Sequence, residues 1–407
     1  MGIPNEYQVD HLFLLVGTNP LPNWVAAQIL VRPEHGRLYL VHSSATAPIA
    51  LRLREPLSAL QPELIQVDPT DARSIARTVE SHVRPLTGSI GLHYTGGTKA
   101  MAVHAYRAME KTLAGRSPTA VYSYLDAGTF ELRVDPDLHE KVLMDVRPTL
   151  DQLAALHGAR FQKGTPKREK DLHLRKTAAA LAASGGLDVW RSWCHDVLRD
   201  RAHTGRAWRK RAELVSISLP IPSSDVLGPA LVALREELGL ISTAVELPLD
   251  ADLLPRWPFD KRDGKYLCQW LDGDWLEQYV LASIGSVASE AAVHDYAMNL
   301  RTDSATSEFD FEFDVAAMVG YQLFGLSCTT SVDKSLAKSK LFEATIRARQ
   351  LGGDEARVGL VCGCEKAHKY ADEVVRVSRN ADSVHIFGPR ELPELAHHLS
   401  VWFRTAQ

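Results

Sequence analysis

The sequence has few of the features that mark secreted, membrane-embedded or polycationic proteins. Its five cysteines among 407 residues are too scattered for a disulfide framework, which indicates a reducing compartment such as the cytoplasm. The longest early apolar run, residues 11–16, is too short to span a bilayer and lacks the basic flank of a signal peptide. Lysine and arginine number 46 against 50 acidic residues, so any nucleic-acid site must be local. We expect a cytoplasmic protein that binds no membrane.

What the sequence does have is a hydrophobic content of 45%, enough to build cores for two or three domains. Residues 1–148 alternate short β-rich runs with helical runs. This alternation predicts an α/β fold with a mostly parallel sheet and helices on both faces. Strands are predicted at 11–16, 37–42, 64–67, 89–94 and 119–125, helices at 23–31, 71–83 and 98–113, and a hairpin strand at 129–134.

Residues 149–258 differ in character and predict a small helical or winged connector. They contain two clusters of lysine and arginine, at 160–176 and 199–211, and Trp208 lies inside the second cluster. The clusters could follow a phosphate backbone, with Trp208 stacking on a base, or they could form an ordinary solvated surface. The sequence leaves both interpretations open.

Residues 259–407 again alternate between helical and β-rich runs. Helices are predicted at 275–284, 334–351 and 391–403, and strands at 309–319, 322–328, 357–362 and 383–387. The long helix should end at the glycine pair 352–353. It should pack through Ala337, Leu341, Ala344, Ala348 and Leu351. The chain is therefore expected to have three parts, 1–148, 149–258 and 259–407.

A polar loop, residues 95–99, lies between the fourth predicted strand and its helix and reads Thr-Gly-Gly-Thr-Lys. The glycines let backbone N–H groups approach an anion, and the helix N-terminus adds the positive end of its dipole. A plain turn capped by Thr98 is the alternative. Two more polar loops, residues 17–23 and 43–46, follow the first and second strands. All three should emerge at the carboxyl edge of a parallel sheet, where ligands bind in open α/β folds.

These loops resemble the CARF domain of type III CRISPR ancillary nucleases. The resemblance is carried by residues 95–101, which read Thr-Gly-Gly-Thr-Lys-Ala-Met, and by Gly17, Pro22 and Asn23 after the first strand. In that family two CARF domains pair around a two-fold axis and bind a cyclic oligoadenylate, so the resemblance implies a homodimer and cyclic tetra-adenylate as the ligand. The pocket residues that it implies are Thr18, Asn19, Asn23, Thr95, Gly96, Gly97, Thr98 and Lys99, and we add Gly17 and Ser43 because their loops belong to the same sheet edge.

The C-terminal part resembles the PD-(D/E)xK nuclease domain of the same proteins. Residues 273–280 (GDWLEQYV) are similar to the opening helix of that domain, and residues 312–315 (EFDV) to the strand that carries its main metal-binding aspartate. The resemblance implies that Glu277 and Asp314 hold Mg²⁺ or Mn²⁺, which polarises the phosphate and activates a water molecule. The other acids of the strand, Glu308, Asp310 and Glu312, are expected on a solvated face.

The chain departs from that family where a strand should carry an acid or serine, any residue, and a lysine. It reads Ser327-Cys328-Thr329 and so lacks the lysine, which stabilises the negative charge of the transition state. Lys338 and Lys340 on the following predicted helix could reach the strand end and restore the charge. We give Lys340 a small preference, with ordinary surface lysines as the alternative.

Taken together, the resemblance implies a metal-dependent endonuclease of type III CRISPR antiviral defence that a cyclic oligoadenylate activates. Its substrate would be DNA, RNA or both. Two other interpretations stay open. The altered strand at 327–329 favours a sensor whose nuclease domain is inactive and which binds nucleic acid or a partner. Alternatively, the CARF domain could itself cleave the cyclic ligand, as a ring nuclease.

Overall fold

A computed structural model describes residues 3–135, 138–303, 307, 312–365 and 383–405. It contains one large sheet in each half of the chain and a mostly helical part between them. This architecture confirms the predicted α/β class. Within the described ranges, no helix is both long and apolar enough to cross a membrane.

The N-terminal half is a seven-stranded sheet with helices between the strands. In chain order, its elements are β1 (His11–Leu15), α1 (Leu21–Leu30), β2 (Arg37–His42), α2 (Ala47–Arg54), β3 (Glu63–Gln66), α3 (Ala72–Val83), β4 (Ile90–His93), α4 (Lys99–Leu113), β5 (Val121–Asp126), β6 (Glu131–Asp135), β7 (Leu138–Lys141) and α5 (Leu150–Leu156). The strand order is β3-β2-β1-β4-β5-β6-β7. The first five strands are parallel, and the last two pairings are antiparallel, as the predicted hairpin requires.

Helices cover both faces of this sheet. Strand β1 sends Leu12 into one core, which includes Trp24 of α1, and sends Phe13 into the other, which includes Met101 of α4. Because side chains alternate along a strand, a strand that is buried on both faces forms a continuous apolar run. That run is the feature that made β1 recognisable in the sequence.

Helix α2 and strand β7 were not predicted from the sequence. Two residues of α2, Ala50 and Leu53, are buried, whereas β7 has no buried residue. Elements that bury so little surface leave only a weak apolar period in the sequence.

The middle part combines helices with two small antiparallel strand pairs. Its elements are α6 (Arg175–Ala183), α7 (Leu187–Trp193), α8 (Asp200–Ala202), β8 (His203–Thr204), β9 (Ala207–Trp208), α9 (Arg211–Leu214), β10 (Ser218–Pro220), α10 (Gly228–Leu238) and β11 (Glu246–Pro248). Strand β8 pairs with β9, and β10 pairs with β11. Helix α6 packs against α10 and also against the first long helix of the C-terminal part.

The C-terminal part is built on a five-stranded sheet. Its elements are α11 (Gly264–Gln269), α12 (Trp275–Val287), β12 (Val293–Arg301), β13 (Glu312–Val319), β14 (Gln322–Thr329), α13 (Lys334–Gly352), β15 (Arg357–Cys362), β16 (Val384–Phe387) and α14 (Leu395–Arg404). The sheet order is β12-β13-β14-β15-β16. Helix α13 buries Ala337, Leu341, Ala344, Ala348 and Leu351, as predicted. Strand β12 was missed because Val293 is its single β-branched residue.

The two halves of the chain touch directly at the turn between β13 and β14. Gly320 in this turn lies so close to Leu143 that an added Cβ would collide with the Leu143 carbonyl oxygen. The Tyr321 N–H donates to the same oxygen at 3.3 Å, and the Tyr321 ring lies 5.8 Å from that of Phe130. The hairpin that carries Asp314 is therefore anchored on the N-terminal half.

Candidate ligand-binding edge and candidate active site

The loops after β1 and β4 meet at the carboxyl edge of the N-terminal sheet, where the two strands are neighbours. An added Cβ on Gly17 would lie 3.1 Å from the Gly96 Cα and from the Gly97 nitrogen. A Cβ on Gly96 would in turn collide with the carbonyl oxygen of Leu15. The glycines thus allow the two loops to approach closely, which places the predicted pocket segments side by side.

The 95–99 loop is held at both ends by its threonines. The Thr95 Oγ1 accepts a hydrogen bond from the Leu125 N–H at 2.7 Å. The Thr98 Oγ1 accepts one from the Met101 N–H at 3.2 Å and caps α4. Gly97 has a φ of +77°, a conformation that residues with a side chain rarely adopt. The loop is therefore a fixed turn that opens onto a helix N-terminus, which attracts anions.

The residues predicted to line the pocket differ in solvent exposure. Thr18 and Lys99 are exposed. Asn23 is fully buried, its Nδ2 donates to a backbone carbonyl at the end of β1 at 3.0 Å, and its Oδ1 has no hydrogen-bond partner within the described ranges. Ser43 is also buried and exchanges hydrogen bonds with Thr46. Asn23 and Ser43 therefore hold the loops from inside, whereas Thr18 and Lys99 offer groups at the surface.

In the C-terminal sheet, Asp314 is the centre of a cluster of hydrogen bonds. Its Oδ2 accepts from the Ser327 Oγ at 2.9 Å and from the Cys328 N–H at 2.6 Å. The Lys340 Nζ lies 3.4 Å from the same oxygen. Asp314, Ser327 and Lys340 line a cavity of about 190 Å³. Strands β13 and β14 and helix α13 therefore bring three predicted elements of the site together.

The two candidate lysines of α13 have different surroundings. Burial opposes the protonation of Lys340, but the Asp314 carboxylate outweighs this effect and raises the pKa of Lys340 above its ordinary value. Lys340 is therefore a cation at the strand end. The Nζ of Lys338 lies 5.9 Å from the centre of the Phe342 ring instead. Of these two lysines, Lys340 is the one that contacts Asp314.

Glu277 and Asp274, at the start of α12, are two further carboxyl groups that interact with Asp314. Burial and the neighbouring carboxylates of Asp314 and Asp274 raise the pKa of Glu277 well above its ordinary value, while Lys340 opposes the shift. Desolvation by the surrounding protein raises the pKa of Asp274 too, although part of the residue stays exposed to solvent. Sequence reasoning did not single out Asp274, although its position three residues before Glu277 places both on one face of a helix.

This arrangement of carboxylates fits a divalent metal ion. A cation between Glu277 and Asp314 would relieve the repulsion that raises the pKa of Glu277. Within the described part of the chain, no three His, Cys, Asp or Glu side chains form a group that could hold a metal. One or two carboxylates suffice for Mg²⁺ when water and substrate phosphates complete its coordination. Glu277 and Asp314 are the residues that could hold such an ion.

Of the other acids of the predicted strand, Glu312 lines the same cavity as Asp314 and adds to the repulsion that raises the pKa of Glu277. Glu312 is half exposed and pairs with Arg301 at 2.6 Å, as expected for a solvated face. Glu308 and Asp310 lie outside the described residues.

Several arginines of the basic clusters are engaged within the protein. Arg168 is paired with Asp295, and Arg199 makes two hydrogen bonds, of 2.8 and 3.0 Å, to Asp272. The first cluster also lies beside β12, where the backbone of Lys167 pairs with that of Met298 in an isolated antiparallel β-bridge. Trp208 makes a T-shaped ring contact with His203, with 4.0 Å between the ring centres. Intramolecular contacts thus account for part of this charge and engage the Trp208 ring.

Residues 264–406 match the family model described as Card1-like, endonuclease domain. This match confirms the predicted resemblance of the C-terminal part to an endonuclease domain. No curated protein matches the chain.

Three solved structures resemble the chain over most of its length. Protein VC1899 from Vibrio cholerae has 16% identity over 97% of this chain and 98% of its own, with a TM-score of 0.72. Can2 from Sulfobacillus thermosulfidooxidans, solved with cyclic tetra-adenylate, has 15% identity over 97% of both chains and a TM-score of 0.67. A type III CRISPR defence DNA nuclease activated by cyclic oligoadenylate has 17% identity and a TM-score of 0.51. The match covers 89% of this chain and 47% of that chain. At such identities the likeness establishes the fold.

Proposed function

We propose that this protein is a metal-dependent nuclease of type III CRISPR antiviral defence that a cyclic oligoadenylate, cyclic tetra-adenylate, switches on. The observation that carries the proposal is the contact between Lys340 and Asp314, inside a segment that matches an endonuclease family. Through this contact, Lys340 supplies the positive charge that is missing because residues 327–329 contain no lysine. Its substrate would be DNA, RNA or both.

Each residue around Asp314 would have a separate role in phosphodiester hydrolysis. A divalent ion held by Glu277 and Asp314 would polarise the phosphate and lower the pKa of a bound water molecule. Lys340 is kept charged by Asp314 and can stabilise the negative charge that develops on the phosphate in the transition state. The Ser327 hydroxyl holds the Asp314 carboxylate in one orientation.

At the other end of the molecule, the carboxyl edge of the N-terminal sheet would bind the cyclic ligand. Thr18 and Lys99 are exposed there, beside the capped N-terminus of α4, and all three features suit phosphate groups. Two copies of the chain would pair with these edges facing each other, because a symmetric ring fits an isologous dimer. We keep 1–148, 149–258 and 259–407 as the proposed ligand-binding, connector and nuclease domains.

An inactive sensor is the main competitor, and the sequence at 327–329 is the observation in its favour. The position of Lys340 argues for activity instead. A site that had lost its function would have no need to keep a partly buried ion pair of a lysine and an aspartate, because replacing such a pair by apolar residues is often neutral or stabilising.

A cleavage assay on the full-length protein tests the proposal. Supercoiled plasmid, single-stranded DNA and RNA are incubated with Mg²⁺ or Mn²⁺, with and without cyclic tetra-adenylate, and the ligand is analysed afterwards. We expect cleavage that requires both the metal and the ligand. Tight ligand binding without cleavage would favour the sensor, and linear fragments of the ligand alone would favour a ring nuclease.

A further inference from the structure

The first ligand loop reaches the C-terminal half of the chain through Asn19. The Asn19 Oδ1 accepts a hydrogen bond from the Leu21 N–H at 3.0 Å, at the start of α1. The other end of the amide, Nδ2, lies so close to Gly353 that an added Cβ there would collide with it. Asn19 therefore joins the edge that we propose for the ligand to the residue that follows α13.

Gly353 ends the helix that carries Lys340. It caps α13 with a φ of +72°, and its N–H donates to the Arg349 carbonyl. This conformation and the lack of a Cβ are both needed at the contact with Asn19. Lys340 lies further back on the same helix, roughly 20 Å from Gly353 at 1.5 Å per residue. Because a helix can carry a displacement as a rigid element, a shift of this cap would move Lys340 as well.

Glu355 lies against the same glycine, and its carboxyl oxygen can accept a hydrogen bond from the Asn19 amide. It is 5% exposed, and its Oε2 would be 2.5 Å from a Cβ on Gly353. This oxygen has no hydrogen-bond partner among the described residues. The backbone oxygen of Glu355 accepts from the Gln322 Nε2 at 2.6 Å, which links it to β14. A buried acceptor without a partner is costly, so a movement that brings the Asn19 amide to Glu355 would be favourable.

We propose that Asn19, Gly353 and Glu355 form the contact through which ligand binding repositions α13 and its Lys340. The inference rests on the proposed ligand and nuclease functions. A ligand that rearranges residues 17–20 moves the Asn19 side chain relative to Gly353 and Glu355, and the end of α13 follows. In this proposal α13 has two positions, and the ligand binds more tightly to the protein in one of them. Such a difference in affinity is the physical requirement for coupling between distant sites.

Gly353→Ala tests the contact without replacing a residue of either proposed site. Its matched control is Gly185→Ala, because Gly185 also has a positive φ, +66°, but no atom lies within 4 Å of its Cβ position. Cleavage is measured without ligand and at saturating cyclic tetra-adenylate. We expect Gly353→Ala to lower the stimulation by at least about fivefold, the lower end of typical coupling. Without ligand, neither variant should cleave above the wild-type background, and all values for Gly185→Ala should stay at wild-type levels. Equal stimulation in the two variants would overturn the inference.

Hydrogen–deuterium exchange on the wild-type protein gives a second measurement that needs no variant. We expect ligand binding to change the exchange of the amides at 348–353, at the end of α13. Unchanged exchange there, in a protein that binds the ligand and is activated by it, would overturn the coupling contact and leave the proposed function intact. Failure to bind the ligand at all would overturn both, and the binding titration shows this directly.

Discussion

The two sheets of this protein build their sites in different ways. The N-terminal edge is made of short loops, 17–20 and 95–99, that follow two adjacent strands. The C-terminal centre takes Glu277 from α12, Asp314 from β13 and Lys340 from α13. A site made of local turns can be recognised from contiguous motifs. A site made by packing separate elements can keep its chemistry when one residue moves to another element.

This comparison leads to a division of effects. Substitutions at the N-terminal edge should change ligand affinity, whereas substitutions around Asp314 should change the rate of cleavage. The contact of Asn19 with Gly353 is where the two should meet. The following predictions test this division, beginning with the largest expected effect.

The largest effect is expected from Asp314→Asn. Removing the charge weakens the hold on a divalent ion, and the amide still fills the same space beside Ser327 and Cys328. Ligand-stimulated cleavage should fall by about 10³-fold, because metal and charge stabilisation supply several kcal/mol. Ligand affinity, measured by calorimetry, should stay unchanged. The control Glu290→Gln removes an exposed carboxylate that pairs with Arg404. Cleavage by Asp314→Asn at the rate of this control would contradict the assignment.

The next effect concerns Glu355, which lies between the two sites. Burial raises its pKa from 4.5 to about 7, so the folded state binds the proton more tightly than the unfolded state does. The contribution of Glu355 to the free energy of unfolding should therefore be highest below pH 4.5 and fall by up to about 3 kcal/mol as the pH rises to 7. Glu355→Gln removes this loss. Denaturation should show the variant more stable than wild type at pH 8, and the gap should shrink at pH 5. An equal gap at both pH values would contradict the pKa shift.

A smaller effect is expected at the ligand edge from Lys99→Met. The substitution keeps the length of the side chain and removes one positive charge beside the proposed phosphates. The dissociation constant for cyclic tetra-adenylate should rise by about 10- to 30-fold, the value of one charge-assisted hydrogen bond. Lys111→Met, at the far end of α4, is the control. Cleavage at saturating ligand should remain at the wild-type level, and a loss of turnover there would break the division between the sites.

The smallest effect is expected from Ser327→Ala. The hydroxyl is one of the donors to the Asp314 Oδ2, and the Cys328 N–H and Lys340 remain in place. Cleavage should fall by about tenfold or less, as expected for the loss of one hydrogen bond among several. A fall as large as that of Asp314→Asn would mean that the hydroxyl itself takes part in the chemistry.

The sequence predicted what depends on local pattern and missed what depends on packing. Strand β1 and helix α13 were recognisable because their apolar residues recur at the period of the element. Strand β12 was not, since Val293 is its single β-branched residue. In the candidate active site, Asp314 and Glu277 stand in recognisable segments, whereas the choice between Lys338 and Lys340 required the direction of each side chain. The link between Asn19 and Gly353 joins residues more than 300 positions apart, and no local pattern predicts it.

The central claim is that Lys340 replaces a lysine that the strand lacks, and moving the lysine back tests it most directly. Thr329 ends β14 on the same face as Ser327, two residues along the strand. Cleavage is measured for Lys340→Met and for Lys340→Met combined with Thr329→Lys. We predict that the single variant loses about two to three orders of magnitude in rate and that the strand lysine recovers part of the loss. Cleavage by Lys340→Met at the wild-type rate would contradict the account.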